Sequence, residues 1–181
     1  MSTPKTPDPG KLIISVFTGD TDLFPSLFEK LEAIAGPLDL ASAWMDFDFT
    51  NYYHREMGNP LYRRVLAFKK LINQDQLAAV KLATNGVEKQ YLDGGNRRIN
   101  IDPGYLLPSR FVLATGKDFS HRIYIGQKIY ADLTLIYTKG KFKTLDWTYP
   151  DYAGELIQSF LQKVRDKYML DLKEHREKQN D

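Results

Sequence analysis

Apolar and polar positions alternate along the chain in a way that predicts both strands and helices. Residues 11–18 are almost continuously apolar and β-branched, which is typical of a buried strand. A helix is predicted next, because apolar residues then recur at helical spacing: Leu23, Leu27, Leu31 and Ile34. Gly36-Pro37 is a typical helix exit. The chain therefore begins with a strand followed by a helix.

The middle of the chain repeats strand and helix with less regular segments. Residues 38–50 end in an alternation of acidic and aromatic side chains, and residues 61–68 are a further strand candidate. The polar residues 51–60 form a loop between them. Residues 75–92 have one apolar helical face, although Gly86 within it costs about 1 kcal/mol relative to alanine. We therefore expect two strands and a second helix here.

The second half becomes strand-like after Gly94-Gly95. Residues 97–101 complete the order βαββαβ, and Pro103-Gly104 predicts a turn after them. An antiparallel meander is expected next, with strands over residues 109–115, 121–125, 128–137 and 141–145. Gly126-Gln127 predicts a two-residue hairpin turn, which places His121 opposite Asp132.

A long helix is predicted over residues 151–175, with an apolar stripe formed by Leu156, Phe160, Val164, Tyr168 and Leu172. The predicted fold class is α+β, with a ferredoxin-like βαββαβ order extended by the antiparallel meander and the C-terminal helix. The helices are expected to cover one face of the sheet. We predict a disordered lead-in (residues 1–10), a single α+β domain (residues 11–175) and a solvated tail (residues 176–181).

Composition narrows the class of protein. The 181 residues, 43% hydrophobic and 27% charged, suit one globular domain. A formal charge of +2 argues against nucleic acid as a partner bound through bulk electrostatics. The absence of cysteine excludes disulfides and thiolate chemistry. No apolar run is long enough to span a bilayer and no signal peptide is recognisable, so we expect a cytoplasmic protein without a membrane partner.

Common catalytic motifs are missing from the sequence. There is no P-loop, no dinucleotide-binding glycine fingerprint, no nucleophile elbow and no zincin helix. With three histidines in the chain, there is also no pair of histidines at short ligand spacing. Any chemistry must therefore come from a less regular group of polar residues.

The densest polar group lies between residues 97 and 134. We predict His121, Asp102 and Asp132 as catalytic residues, with the imidazole as the proton carrier near neutral pH. The predicted ligand-binding residues are Asn100, Lys117, Asp118, Arg122 and Tyr130. Among these, Lys117 and Arg122 are suited to holding a phosphate or carboxylate group.

Plainer interpretations of the same residues remain open. Asp102 precedes Pro-Gly, where aspartate commonly caps a turn, and residues 115–122 have the composition of a solvated surface loop. If Asp48 joined Asp102, His121 and Asp132, the oxygen-rich set would suit Mg²⁺ or Mn²⁺. We assign no metal, and the cofactor stays unknown.

Two hypotheses of function follow. The first is a binding protein or enzyme for an anionic small molecule, such as a phosphate ester, with its site in the β-rich second half. The alternative is a protein or RNA interaction module that uses the sheet face. It draws on the tyrosines and on four arginines: Arg63, Arg64, Arg97 and Arg98. Enzymatic activity and oligomeric state are left open by the sequence.

Four short runs, taken together, resemble a known family. They are FDFTNYY at residues 47–53, NIDPGY at 100–105, KDFSHR at 117–122 and WTYPDY at 147–152. The combination is similar to an uncharacterised bacterial and archaeal family, a domain of unknown function of about this length. The resemblance implies a prokaryotic, stand-alone protein and assigns no role to any residue.

Overall fold

The computed structural model describes residues 1–180, and within them eleven strands and five α-helices. The strands are β1 (Gly10–Thr18), β2 (Leu38–Ala41), β3 (Met45–Asp46), β4 (Tyr62–Ile72), β5 (Leu92–Asp93), β6 (Asn96–Arg97), β7 (Ile99–Leu107), β8 (Arg110–Thr115), β9 (Arg122–Tyr124), β10 (Tyr130–Thr138) and β11 (Lys141–Thr144). The helices are α1 (Phe24–Ala35), α2 (His54–Met57), α3 (Leu77–Gln90), α4 (Pro150–Ala153) and α5 (Glu155–Asn180). The predicted α+β class is confirmed.

Nine of the strands form one sheet in which every pairing is antiparallel. The strand order is β11-β10-β8-β7-β1-β4-β2, with β3 beside β4 and β9 beside β10. The remaining two strands, β5 and β6, form a separate ribbon. The extended segment predicted over residues 38–50 is divided into β2 and β3, and the short elements α2, β5 and β6 are not foreseen from the sequence. The exact ferredoxin-like order stays a prediction.

Helices cover both faces of the sheet, so the expectation that they cover one face is wrong. Helices α1 and α3 pack on one face, whereas α5 packs on the other. Strand β1 lies between these layers and is buried at all nine positions. Successive side chains of a strand point to opposite faces, so a strand buried on both faces is apolar throughout. The continuous apolar run that predicted β1 therefore also reflects the double covering.

The C-terminal helix packs through a stripe that differs from the predicted one in its first turn. Gly154 has an extended backbone and separates α4 from α5, which resets the helical phase. As a result Leu156 is 70% exposed, and Ile157 and Leu161 are buried in its place. Further along, Val164, Tyr168 and Leu172 are buried as the spacing predicts.

The two ends of the chain contact each other. Helix α5 continues to Asn180, beyond the predicted end at residue 175, and of the predicted tail only Asp181 lies outside the described residues. The guanidinium of Arg176 donates to both carboxylate oxygens of Asp8, at 3.2 and 2.6 Å. The hydroxyl of Tyr168 donates to the carbonyl of Pro9 at 2.7 Å. The lead-in therefore contacts the last helix just before β1 begins.

Strands β7 and β8 pair along only part of their length. Their register runs from Gly104 to Leu107 on β7, and residues 99–103 have no partner on β8. We call this opening between residues 99–103 of β7 and residues 114–115 of β8 the fork. The turn predicted at Pro103-Gly104 is wrong, because β7 runs through both residues.

Proline and glycine are tolerated inside β7 because of their place beside the fork. Backbone groups of residues 101 and 103 point to the same side of the strand, so the N–H that Pro103 lacks would face the fork. At Gly104 a side chain would not fit, since a Cβ there would lie 2.3 Å from the carbonyl oxygen of Val112. The two residues therefore mark where the strands part, and the chain does not turn there.

Candidate functional site

A cleft of about 830 Å³ lies at the fork. Helix α3 and strand β7 contribute to its lining, together with the end of β8, the segment before α2 and the segment around α4. Its aromatic lining residues are Phe47, Phe49, Tyr52, Tyr53, Tyr149 and Tyr152. Its charged lining residues are Arg63, Lys81, Arg97, Lys117, Glu88, Asp102, Asp132 and Asp151. The cleft is therefore lined by aromatic rings together with four basic and four acidic side chains.

Two side chains of α3 reach across the fork and satisfy the backbone of β7. Lys81 Nζ donates to the carbonyl of Ile101 at 2.7 Å, and the N–H of Ile101 donates to Glu88 Oε1 at 2.5 Å. These are backbone groups that a paired strand would otherwise satisfy, since a buried unpaired group is costly. With Asn85, they form a polar face of α3 that lines the cleft. The sequence alone does not reveal this face, because polar residues on a helix ordinarily face water.

Asp102 occupies the middle of β7 and is directed into the cleft. Its Oδ2 accepts from Asn100 Nδ2 at 2.7 Å, and its Oδ1 lies 3.4 Å from Lys81 Nζ. The side chain remains 28% exposed. Burial raises the pKa of Tyr53 to about 12, and the negative charge of Asp102 contributes to that rise. Burial raises the pKa of Glu88 as well, with Asp102 adding to it and Lys81 opposing it. The charge of Asp102 therefore acts on two other ionisable groups of the cleft, Tyr53 and Glu88.

Asp132 is buried and holds a second polar cluster beside the cleft. Its Oδ2 accepts from Arg122 Nε at 2.9 Å and lies 3.3 Å from His121 Nε2. The hydroxyl of Thr134 lies 3.4 Å from Oδ1. His121 also stacks on Trp147, with ring centroids 4.9 Å apart. The predicted contact between His121 and Asp132 is thus present.

The hairpin register that led to this contact is nevertheless wrong by one residue. Arg122, not His121, lies opposite Asp132. The connection is one residue longer than predicted, since the N–H of Ile125 donates to the carbonyl of Ile129 across three residues with positive φ: Gly126, Gln127 and Lys128. Left-handed backbone is unusual for glutamine and lysine, so the sequence indicated the shorter turn.

The remaining predicted residues fall into two groups. Lys117 lines the cleft, and its Nζ lies 5.1 Å from the centroid of the Tyr52 ring. Arg122 lies behind Asp132 and is fully engaged, because its other nitrogens donate to the carbonyl of Lys117 at 3.0 Å and to the hydroxyl of Tyr149 at 2.6 Å. In the described part of the chain, the cleft lining includes four predicted residues (Asn100, Asp102, Lys117 and Asp132) and excludes the other four (Asp118, His121, Arg122 and Tyr130).

Two further cations of the cleft are held by ion pairs. Arg63 is 4% exposed and pairs with Asp151, while its guanidinium lies 4.5 Å from the centroid of Phe47. Burial raises the pKa of Asp151, although the charge of Arg63 acts against this. Arg97 donates twice to the Glu56 carboxylate, at 2.7 Å from each oxygen. These pairs fix the walls of the cleft.

The oxygen-rich metal cluster considered from the sequence does not form. Across residues 1–180, no three His, Cys, Asp or Glu side chains come together in a way that could hold a metal ion. Asp48, the fourth member of that set, is exposed and is not part of the cleft lining. The helices of the same described range also include none with the length and apolar character needed to cross a membrane.

Comparison with known proteins gives one match. A family model described as a domain of unknown function spans residues 8–168, a range that includes every residue lining the cleft. Searches of curated proteins and of solved structures found no match.

Proposed function

The chain belongs to the DUF4416 family, a domain of unknown function, and we propose from its cleft that it binds a small organic anion carrying a planar ring. Small-molecule sites are typically concave spaces of roughly 300–1,000 Å³ with aromatic walls and a few placed polar groups. The observation that carries the proposal is the meeting of an aromatic wall and lysine ammonium groups in one cleft of about 830 Å³.

The aromatic wall provides surface for the ring. Tyr52 and Tyr53 make an edge-to-face pair with centroids 4.9 Å apart, and Tyr53 also contacts Phe47 at 5.9 Å. Phe49 and Tyr52 are exposed at 47% and 66%. Exposed rings beside a cleft offer flat apolar faces on which a second ring can stack. This arrangement supports a ligand with a planar group.

Two lysines supply the charge for the anion. In the described chain, Lys117 Nζ has no carboxylate partner, and its contact is the ring of Tyr52. Lys81 uses its ammonium on the Ile101 carbonyl and lies near Asp102, which leaves donor capacity because an ammonium has three hydrogens. The arginines of the cleft are bound to carboxylates, so the lysines are the groups to which we assign the phosphate or carboxylate of the ligand.

The alternative, an RNA or protein interaction module that uses the sheet face, has less support. Helices pack on both faces of the sheet, which leaves less open sheet surface for bases to stack on. Three of the four arginines named for it form ion pairs, and the fourth, Arg64, packs over the rings of Phe24 and Trp44. We place the small-molecule function in the cytoplasm of a prokaryote, as the family resemblance and the cysteine-free sequence suggest.

Calorimetric titration with ring-containing phosphates and carboxylates, beginning with phenyl phosphate, tests the proposal. We expect Lys117→Ala to weaken binding about three- to tenfold, because it removes an ammonium group from the mouth of the cleft. Lys143→Ala is the matched control, since Lys143 is an exposed lysine of β11 outside the cleft. The proposal is wrong if no ring-containing anion binds, or if the two variants behave alike.

A further inference from the structure

Asp102 differs from two other carboxylates of the cleft, Asp132 and Asp151, in how much of its hydrogen-bonding capacity is used. Asp132 accepts from Arg122 and lies close to His121 and Thr134. Asp151 is paired with Arg63, and both side chains are almost fully buried. These two carboxylates are committed to positioning their neighbours.

The carboxylate of Asp102 keeps acceptor sites for a ligand. A carboxylate accepts about four hydrogen bonds. Asp102 receives a short one from Asn100, at 2.7 Å, and its other oxygen has Lys81 at the long distance of 3.4 Å. Its side chain is 28% exposed, and that exposure is to the cleft it lines. Two donors leave about two of these acceptor sites for a third group.

The position of Asp102 determines what that third group is. The carboxylate lies in the same cleft as the rings of Tyr53 and Tyr149, and its charge contributes to raising the pKa of both hydroxyls, after the larger effect of burial. A ring stacked on this wall would lie in the same cleft as this oxygen acceptor. A hydrocarbon edge would desolvate the remaining acceptor sites of the carboxylate without supplying a donor to them, which is unfavourable.

We propose that the ligand is a nitrogen heterocycle with N–H donors on its edge and an anionic group beyond it, with Asp102 accepting from the N–H groups and Lys117 contacting the anion. The class includes nucleoside monophosphates. This inference rests on the proposed function and adds the chemistry of the ring to it. Recognition of an N–H edge by a carboxylate is selective, because a ring without donors leaves the acceptor unpaired.

Calorimetry on the full chain compares the four ribonucleoside 5′-monophosphates with two reference compounds. Phenyl phosphate has a ring without N–H donors, and ribose 5-phosphate has no aromatic ring. We expect at least one nucleotide to bind about tenfold or more tightly than both references, as a hydrogen bond to a charged acceptor implies. Asp102→Asn should remove that advantage, so that the nucleotide and phenyl phosphate bind to the variant with similar affinity. Asp75→Asn, at an exposed carboxylate outside the cleft, should change neither affinity.

A second measurement avoids any effect of substitution on folding. The parent protein is titrated with the tightest nucleotide and with the same nucleotide methylated at the donor nitrogen, and we expect the methyl group to cost about tenfold. If nucleotides bind no better than phenyl phosphate, or if methylation and Asp102→Asn leave the nucleotide affinity unchanged, this inference is wrong and the proposed function stands. If neither nucleotides nor phenyl phosphate bind, both are wrong.

Discussion

Glu88 is an acidic side chain that lies inside the fold, where it accepts the N–H of Ile101 at 2.5 Å. Burial raises the pKa of its carboxyl group above the ordinary value of 4.5, although the charge of Lys81 works in the other direction. The folded protein therefore holds this proton more tightly than the unfolded chain does. The contribution of Glu88 to stability is fully present below pH 4.5 and is lost as the pH rises through the raised value.

Glu88→Gln should consequently change the pH dependence of stability. Glutamine keeps an oxygen acceptor for Ile101 and carries no charge to desolvate. Urea unfolding of parent and variant at pH 5 and pH 8 measures the effect, and other titrating groups cancel in the difference. We expect the stability of the variant relative to the parent to be higher at pH 8 than at pH 5. An equal difference at both pH values would show that the pKa of Glu88 is not raised.

Single residues of the site can be predicted from the sequence where the alternation of side chains along a strand decides which way they point. Residues two apart on a strand share a face, and Asn100 and Asp102, both predicted as site residues, line the cleft. Lys81 and Glu88 were not foreseen, because their role depends on the gap between two strands far away in sequence. Arg122 is suited by residue type to holding an anion, but its guanidinium is engaged by Asp132 across the hairpin and by the distant Tyr149.

Strand β7 is the element that creates the site, since it stops pairing with β8 at Gly104. Gly104→Ala should destabilise the protein by about 1–3 kcal/mol, because the new Cβ meets the carbonyl oxygen of Val112 at 2.3 Å and the strands must shift. Gly86→Ala is the matched control. It lies in α3, where an added Cβ meets no atom within 4 Å, and alanine favours helix, so it should stabilise the protein by about 0.5–1 kcal/mol. Urea unfolding at one pH measures both, and equal effects would contradict the close approach at Gly104.

At the scale of elements, most strands and all three long helices follow from periodicity. The predictions fail where an unusual backbone conformation depends on contacts with segments distant in sequence. Pro103-Gly104 has the composition of a turn, yet β7 continues through it because β8 departs there. The loop at Gly126–Lys128 holds two non-glycine residues at positive φ, which no local preference predicts. Phase errors of this kind shift a register by one residue and leave the elements themselves in place.

The whole molecule is a sheet with helices on both faces, and the cleft opens where that sheet divides. The α+β class follows from the order of patterns along the sequence. The double covering and the fork do not follow, because they depend on pairings between strands distant in sequence. A smaller cavity of about 370 Å³ lies beside Asp20 and Arg98 and is also lined by Glu56 of α2 and Arg97 of β6. Arg97 lines the large cleft as well. Binding of a compound in one cavity can therefore be compared directly with binding in the other.

Crystals of the protein soaked with phenyl phosphate and with a set of ring-containing carboxylates test the central claim most directly. We expect bound compounds in the cleft of about 830 Å³, with the ring against Tyr53 and the anionic group within hydrogen-bonding reach of Lys117 or Lys81. Compounds that collect in the smaller cavity or elsewhere on the surface, with the large cleft empty at millimolar concentration, would contradict it.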